Sequence, residues 1–154
     1  MLAVAFSGVL AGSAQAGVID AAELAEVHQI NDYRVAHGLK PLRIDRRLTR
    51  AATWMSTDMG ASDRFSHTDS RGRSPFDRIA RYRYPSDTWR GENLAAGNVE
   101  PSATFEQWRN SPAHNANMLN RRYRAIGISR VQNANATYGW YWTTTFGSTV
   151  VAPI

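Results

Sequence analysis

Residues 140–146 read WYWTTTF, and this stretch decides the class of the fold. Aromatic and β-branched residues fill it, which is typical of a β-strand. Both alternating faces carry large side chains, so we expect this strand to be central in its sheet or covered on both sides. Residues 127–132 alternate as well and predict a second strand, while residues 133–137 between the two are turn material.

The residues before these strands carry helical patterns. A capping box from Asp20 to Glu23 opens a first helix, in which Leu24 and later apolar residues recur at helical spacing until Gly38. Residues 42–44 predict a short extended piece. Asp45 then caps a second helix that ends near Gly60.

Two Ser-Pro pairs predict further short helices, because serine is a good cap and proline suits the first helical position. They are Ser74-Pro75 and Ser111-Pro112, and Pro101 or Ser102 opens another helix between them. The sequence leaves the conformation of residues 91–95 open. Helices first and strands last predict an α+β domain with helices packed on a mainly antiparallel sheet.

The composition suits one exported globular domain. The chain has 154 residues, of which 43% are hydrophobic and 20% charged, and it has no cysteine. Residues 1–12 are apolar and uncharged, and Ala14 and Ala16 fit the small-residue rule for cleavage, although a buried N-terminal helix is the alternative. We therefore predict a signal peptide over residues 1–16 and a mature domain over residues 17–154, secreted to the periplasm or outside the cell and not transmembrane.

The net charge is +5, and arginine supplies all of the basic residues except Lys40. A basic surface favours anionic partners. The arginines are scattered along the sequence, with Arg46-Arg47 and Arg121-Arg122 as the densest pairs, and no basic arm occurs. This pattern favours a solvated, salt-bridged surface, so we expect no nucleic-acid partner.

Two of the four histidines are candidate site residues. His67 lies in a polar loop between helices, where binding residues concentrate, and Asp69 is a candidate to orient its ring by accepting a hydrogen bond. His114 lies in the first turn after Ser111, where the helix dipole disfavours the imidazolium. A neutral ring is what a metal ligand or a general base requires, and the alternative is a half-buried histidine that bonds to a neighbour. His28 and His37 read as ordinary helix-surface residues.

The acidic residues and the search for catalytic motifs give less information about the site than the histidines do. Glu92 is flanked by small and apolar residues, so it is either a buried structural acceptor or a site residue. Glu106 reads as part of a solvated helix face. The sequence lacks the His-Glu-x-x-His helix, the Gly-x-Ser-x-Gly elbow and a glycine-rich phosphate loop, so it contains no established catalytic motif.

Several segments, in order, resemble the CAP superfamily of cysteine-rich secretory proteins, antigen 5 and pathogenesis-related proteins. The most specific are Gly91-Glu92-Asn93-Leu94-Ala95 and Ser111-Pro112-Ala113-His114, which follow Phe65-Ser66-His67. The closer resemblance is to the bacterial, SCP-like extracellular branch. The other matching segments are residues 31–34, 38–42, 123–128 and 141–147, with Trp108.

This resemblance implies a three-layer α-β-α sandwich with a central cleft. His67, Glu92 and His114 match three residues that line that cleft in the family, where the histidines bind zinc or another divalent cation. The family's second glutamate usually follows the tryptophan before the second histidine. Here Arg109 follows Trp108, so that carboxylate is missing.

Three functions remain open at this point. The first is a monomeric binding module for a small hydrophobic ligand or a protein or envelope partner, with a divalent ion such as zinc held by His67 and His114. The second is a metal-assisted, peptidase-like hydrolase with Glu92 as base. The third is an envelope-associated interaction protein whose cleft is purely structural. We favour the first and expect no enzymatic activity; no residue is assigned as catalytic.

Overall fold

The computed structural model describes residues 18–150, so the predicted signal peptide at residues 1–16 lies outside the described part. The elements within it alternate between helices and strands before two strands close the chain. They are α1 (Ala21–Ala36), β1 (Arg43–Ile44), α2 (Arg46–Ser62), α3 (Pro75–Arg81), β2 (Arg90–Ala96), α4 (Pro101–Arg109), α5 (Pro112–Met118), β3 (Ala125–Gln132) and β4 (Trp140–Gly147).

The four strands form one sheet in the order β1-β3-β4-β2. β4 pairs antiparallel with both β3 and β2, and the two-residue β1 pairs parallel with β3. Both faces of β4 are buried from Tyr141 to Gly147, which confirms the prediction of an inner, doubly covered strand. Residues 91–95, which the sequence left open, belong to the edge strand β2.

Helices cover both faces of the sheet, as a three-layer α-β-α sandwich requires. On one face α2 contacts β4, where Ser56 Oγ donates to Thr143 Oγ1 over 2.8 Å and Thr145 Oγ1 donates to the Leu48 carbonyl over 2.9 Å. On the other face Trp142 and Phe146 pack in one cluster with α1, α4 and α5. The predicted α+β fold is therefore confirmed.

Glycine lets α2 lie directly on β3. A Cβ at Gly127 would collide with the backbone of Leu48 and Thr49 in the first turns of α2. Any side chain at position 127 would therefore force α2 away from the sheet, because the clashing atoms belong to the helix backbone and cannot move aside.

The helix starts follow the capping signals of the sequence. Asp20 and Ser74 each form a capping box, and Asp45 accepts from the Arg47 N–H at the start of α2. Ser111 precedes α5 without a side-chain capping bond. α2 continues to Ser62, past the predicted end near Gly60.

Charged residues take up much of the buried face of α1. Leu24, the first residue of the apolar pattern, is 41% exposed, whereas Glu26 and Arg34 are fully buried. Arg34 donates to the carbonyls of Lys40, Met118, Asn120 and Tyr123. These bonds fasten the chain that follows α5 to α1, and so fix the helix that carries His114.

The buried Glu26 makes the stability of the fold depend on pH. Both carboxyl oxygens are buried and lack a hydrogen-bond partner among the described residues, and burial raises the pKa of Glu26 to about 8. The usual value is about 4.3, so the folded state holds a proton that the unfolded chain has lost between those pH values. The stability that this proton confers is present in full below the unfolded pKa and is lost as the pH rises through the folded pKa.

We predict that Glu26→Gln, which keeps the shape and removes the titration, raises the free energy of unfolding at pH 8 more than at pH 5. Urea denaturation at both pH values measures the difference. Glu106→Gln, at a half-exposed position, is the matched control and should leave the pH dependence of the wild type intact. Equal effects of Glu26→Gln at the two pH values would contradict this account of the buried carboxyl.

Candidate functional site

The candidate site is organised by the alternation of side chains along β2. Glu92 pairs with Thr145 of β4 and therefore shares its face, while Asn93 points to the opposite face. Glu92 reaches the loop that carries His67, and Asn93 reaches α5, which carries His114. One edge strand thus positions both histidines.

The Glu92 carboxylate is buried between two cationic or hydrogen-bonding partners. His67 Nδ1 lies 2.9 Å from Oε1, and Arg78 Nη2 of α3 donates to Oε2 over 2.7 Å. Only 1% of the Glu92 side chain and 1% of the Arg78 side chain are exposed, so this ion pair is screened little by water.

Arg78 also fixes the backbone of the His67 loop. Its Nη1 donates to the carbonyls of His67 and Arg73, each over 3.0 Å, and lies 3.7 Å from Asp69 Oδ2. A single buried guanidinium therefore holds the loop and the carboxylate that orients the ring on that loop.

These contacts determine the tautomer of His67. A carboxylate paired with a guanidinium only accepts hydrogen bonds, so the proton of the contact with Glu92 belongs to His67 Nδ1. In the neutral ring Nε2 then carries a free lone pair. The His67 side chain is 52% exposed, so this lone pair is accessible from outside.

The expectation that Asp69 orients the His67 ring was wrong. Asp69 is buried and accepts from Trp54 Nε1 over 3.2 Å, from Arg73 Nε over 2.9 Å and from the backbone N–H groups of Arg71 and Arg73. Burial and these hydrogen bonds act in opposite directions, and the net result is a lowered pKa for Asp69. Asp69 therefore stabilises the loop in which it lies. Glu92, which is more distant in the sequence, is the partner of the His67 ring.

His114 lies on α5 and is held through its backbone. Its carbonyl accepts from Asn93 Nδ2 over 3.0 Å, and Asn117 Nδ2 in turn donates to Asn93 Oδ1 over 2.9 Å and to the Glu92 carbonyl over 3.2 Å. Gly91 leaves room for the Tyr123 side chain, because a Cβ there would collide with the Tyr123 hydroxyl and would lie 3.2 Å from Asn117 Oδ1 of α5.

The imidazole of His114 is half-buried, and its Nδ1 is buried with no hydrogen-bond partner in residues 18–150. Burial, and secondly the positive charge of His67, lower the pKa of His114. The ring is thus neutral near pH 7, as expected, but burial rather than the helix dipole is the main cause. The two histidines therefore influence each other electrostatically.

Comparison with known proteins identifies the family. The profile of the cysteine-rich secretory protein family, CAP, matches residues 27–146. This chain belongs to the CAP family. Its similarity is to the bacterial, SCP-like members, as the following relatives illustrate.

Three relatives cover most of the chain. The uncharacterized protein YkwD of Bacillus subtilis is 34% identical over 128 residues, which are 83% of this chain but 48% of YkwD, so the chain spans about half of that relative. An outer surface protein of Borrelia burgdorferi has a TM-score of 0.72 and 25% identity, over 82% of this chain and 92% of that protein. An extracellular SCP-domain protein of Bacillus anthracis has a TM-score of 0.69 and 27% identity, over 82% of this chain and 41% of that one.

The carboxylates of this CAP domain do not complete a set of metal ligands. Residues 18–150 contain no group of three or more His, Cys, Asp or Glu side chains that could hold a metal ion. Glu106 is half-exposed and pairs with Arg109 over 2.7 Å, which confirms that it belongs to a helix surface. Both oxygens of Glu92 are already engaged.

Sequence reasoning missed Arg78, Asn93 and Asn117. Asn93 had a usable signal, because a polar residue in the middle of a small and apolar strand needs a buried partner. Arg78 had none, since an arginine after a Ser-Pro cap is ordinary on a helix surface. Its burial depends on a carboxylate that lies 14 residues further along the chain.

We predict that Arg78→Met destabilises the domain by about 3–5 kcal/mol, because it leaves the Glu92 carboxylate buried without its counter-charge. Denaturation in urea measures the loss. Arg109→Met is the matched control, since the Arg109–Glu106 pair has the same 2.7 Å separation but side chains that are 46% and 47% exposed. It should cost less than about 1 kcal/mol. Equal losses for the two variants would show that burial does not distinguish the pairs.

Proposed function

We propose that this CAP domain is an exported binding module whose ligand site is the cleft at His67 and His114. The observation that carries the proposal is the state of the two rings. His67 is bound through Nδ1, which leaves Nε2 free, and His114 Nδ1 has no partner among the described residues. Buried polar atoms are rarely left unpaired, so an unpaired one beside a second free imidazole favours a bound ligand.

A divalent cation such as zinc is the ligand that two free imidazole nitrogens favour. Glu92 is held back by Arg78 and serves to orient His67 rather than to coordinate, so such an ion would be held by the two histidines alone. When bound, the ion would supply a Lewis acid with positions open to water, a small hydrophobic ligand or a protein partner. The neutral state of His114 suits this role.

The contacts of Glu92 favour binding over hydrolysis. A general base needs a carboxylate oxygen within reach of water, and here one oxygen meets Arg78 while the other meets His67. The second carboxylate that an acid–base pair requires is replaced, at the position after Trp108, by an arginine. The geometry therefore supports a site that binds rather than one that cleaves.

Export is supported by three observations. The apolar residues 1–12 are followed by a cleavage-like sequence, a similar solved structure is an outer surface protein, and another is an extracellular protein. Within residues 18–150, no helix combines the length and the apolar character that crossing a membrane requires.

We predict that the purified protein binds one zinc ion per chain and that the double variant His67→Ala with His114→Ala loses this binding. Isothermal titration calorimetry with zinc and with cobalt measures both. His28→Ala removes an exposed histidine of α1 and is the matched control, which should bind like the wild type.

Thermal unfolding of each variant separates binding from folding. The proposal requires that the double variant remains folded and fails to bind. It is wrong if the wild type binds neither metal, or if the folded double variant binds as tightly as the His28→Ala control. A double variant that does not fold would instead favour the alternative of a purely structural cleft, and the single variants would then be titrated separately.

A further inference from the structure

One end of the sheet gathers arginines that are far apart in the sequence. By register, the first residues of β1, β3 and β2 and the last residue of β4 lie side by side at this end. The Arg43 N–H donates to the Arg124 carbonyl over 2.9 Å, and the Arg124 N–H donates to the Gly147 carbonyl over 2.8 Å. Arg90 stands opposite Gly147 on the other side.

The helices bring further arginines to the same end. α2 begins here, and the guanidinium groups of Arg47 and Arg50 lie 5.4 and 5.3 Å from the ring centres of Tyr84 and Tyr82, just after α3. Arg124 donates back to the Arg121 carbonyl. We call the exposed members of this group the arginine end; they are Arg43, Arg46, Arg50, Arg81, Arg83, Arg121, Arg122 and Arg124.

Few carboxylates balance this charge. In the segments that supply it, residues 43–50, 81–91 and 119–124, the acidic residues are Asp45 and Asp87, and Asp77 of α3 also lies near Arg90. Asp45 is buried and already paired with Arg47 over 2.6 Å. The arginines are scattered along the sequence, and the fold brings three separate segments of them together at this end.

The opposite end of the sheet has a different character. Asp63 accepts there from the Tyr141 hydroxyl and from Thr137, and Asp20 pairs with Arg130 over 2.8 Å. Acidic groups thus accompany the basic ones at that end. The molecule is polarised along its strands, with the positive pole at the arginine end.

Exposed apolar side chains lie among these arginines. Trp89 immediately precedes β2, is 56% exposed and lies under the guanidinium of Arg122, 4.1 Å from the ring centre. Its backbone exchanges hydrogen bonds with Ser148, which follows β4. Ile44 of the edge strand β1 is 43% exposed. Arginine beside tryptophan is a combination that the interface of a lipid bilayer favours.

We propose that the arginine end is a docking surface for a bilayer that contains anionic phospholipid. Guanidinium groups bind phosphate oxygens in pairs, and each basic residue near an anionic surface contributes about 1 kcal/mol to binding. A bilayer also accommodates the indole of Trp89 and the side chain of Ile44, which a soluble polyanion would leave in water. The residues of this surface are not those of the histidine cleft, so either proposal stands without the other.

The test is sedimentation of the full protein with vesicles of phosphatidylglycerol mixed with phosphatidylcholine, compared with vesicles of phosphatidylcholine alone. The wild type should bind the anionic vesicles only, and added salt should weaken the binding. Arg46→Gln with Arg50→Gln should weaken it about 30-fold, since two residues at about 1 kcal/mol each correspond to that factor.

The matched control is Arg64→Gln with Arg130→Gln, which makes the same change in net charge at the opposite end of the sheet. Arg64 lies beyond the far end of α2, about 20 Å from Arg50 at 1.5 Å per helical residue. This variant should bind the vesicles almost as well as the wild type. Equal losses for the two double variants would overturn the proposal, because binding would then depend on net charge alone.

Trp89→Ser separates a bilayer from a soluble polyanion. It should weaken binding to the anionic vesicles and leave any binding to inorganic polyphosphate unchanged. If it leaves vesicle binding unchanged while the arginine variant weakens binding to vesicles and to polyphosphate alike, the surface is a general phosphate site and the bilayer proposal is wrong. Equal binding of the wild type to both kinds of vesicle would also overturn it.

Discussion

The buried guanidinium of Arg78 is the contact on which the candidate site depends. It neutralises the Glu92 carboxylate and, through Nη1, fixes the carbonyl of His67. The carboxylate in turn holds the His67 ring through Nδ1. Backbone and ring of the same histidine are therefore fixed by one arginine, so a polar loop carries a site residue in a single orientation.

The edge strand β2 also positions the segment that carries the second histidine, His114. Its alternation sends Glu92 toward the His67 loop and Asn93 toward α5, so the two segments that carry the histidines are held from opposite faces of the strand. Arg34 of α1 also fixes the end of α5, because it donates hydrogen bonds to the carbonyls of Met118 and Asn120. Glycine at position 91 leaves room for the Tyr123 side chain, so each residue of the Gly-Glu-Asn segment has a physical role.

The sequence predicted the fold well because its signals are local. Capping residues and strand alternation depend on neighbours within a few positions, and Asp20, Asp45 and Ser74 act as expected. The site was predicted only in part. Its key contacts join residues that are 11 to 25 positions apart, such as His67 with Glu92 and Arg78 with the His67 carbonyl. No local pattern specifies those pairings, and so the nearer Asp69 was mistaken for the partner of the ring.

The tautomer of His67 tests the central claim most directly. Two-dimensional ¹⁵N–¹H NMR of the imidazole, with Glu92→Gln as the comparison, reports which ring nitrogen carries the proton. The account predicts a single Nδ1–H tautomer in the neutral ring of the wild type, with an unprotonated Nε2. A dominant Nε2–H tautomer in the wild type would contradict it, because the lone pair available to a ligand would then be the one that faces Glu92.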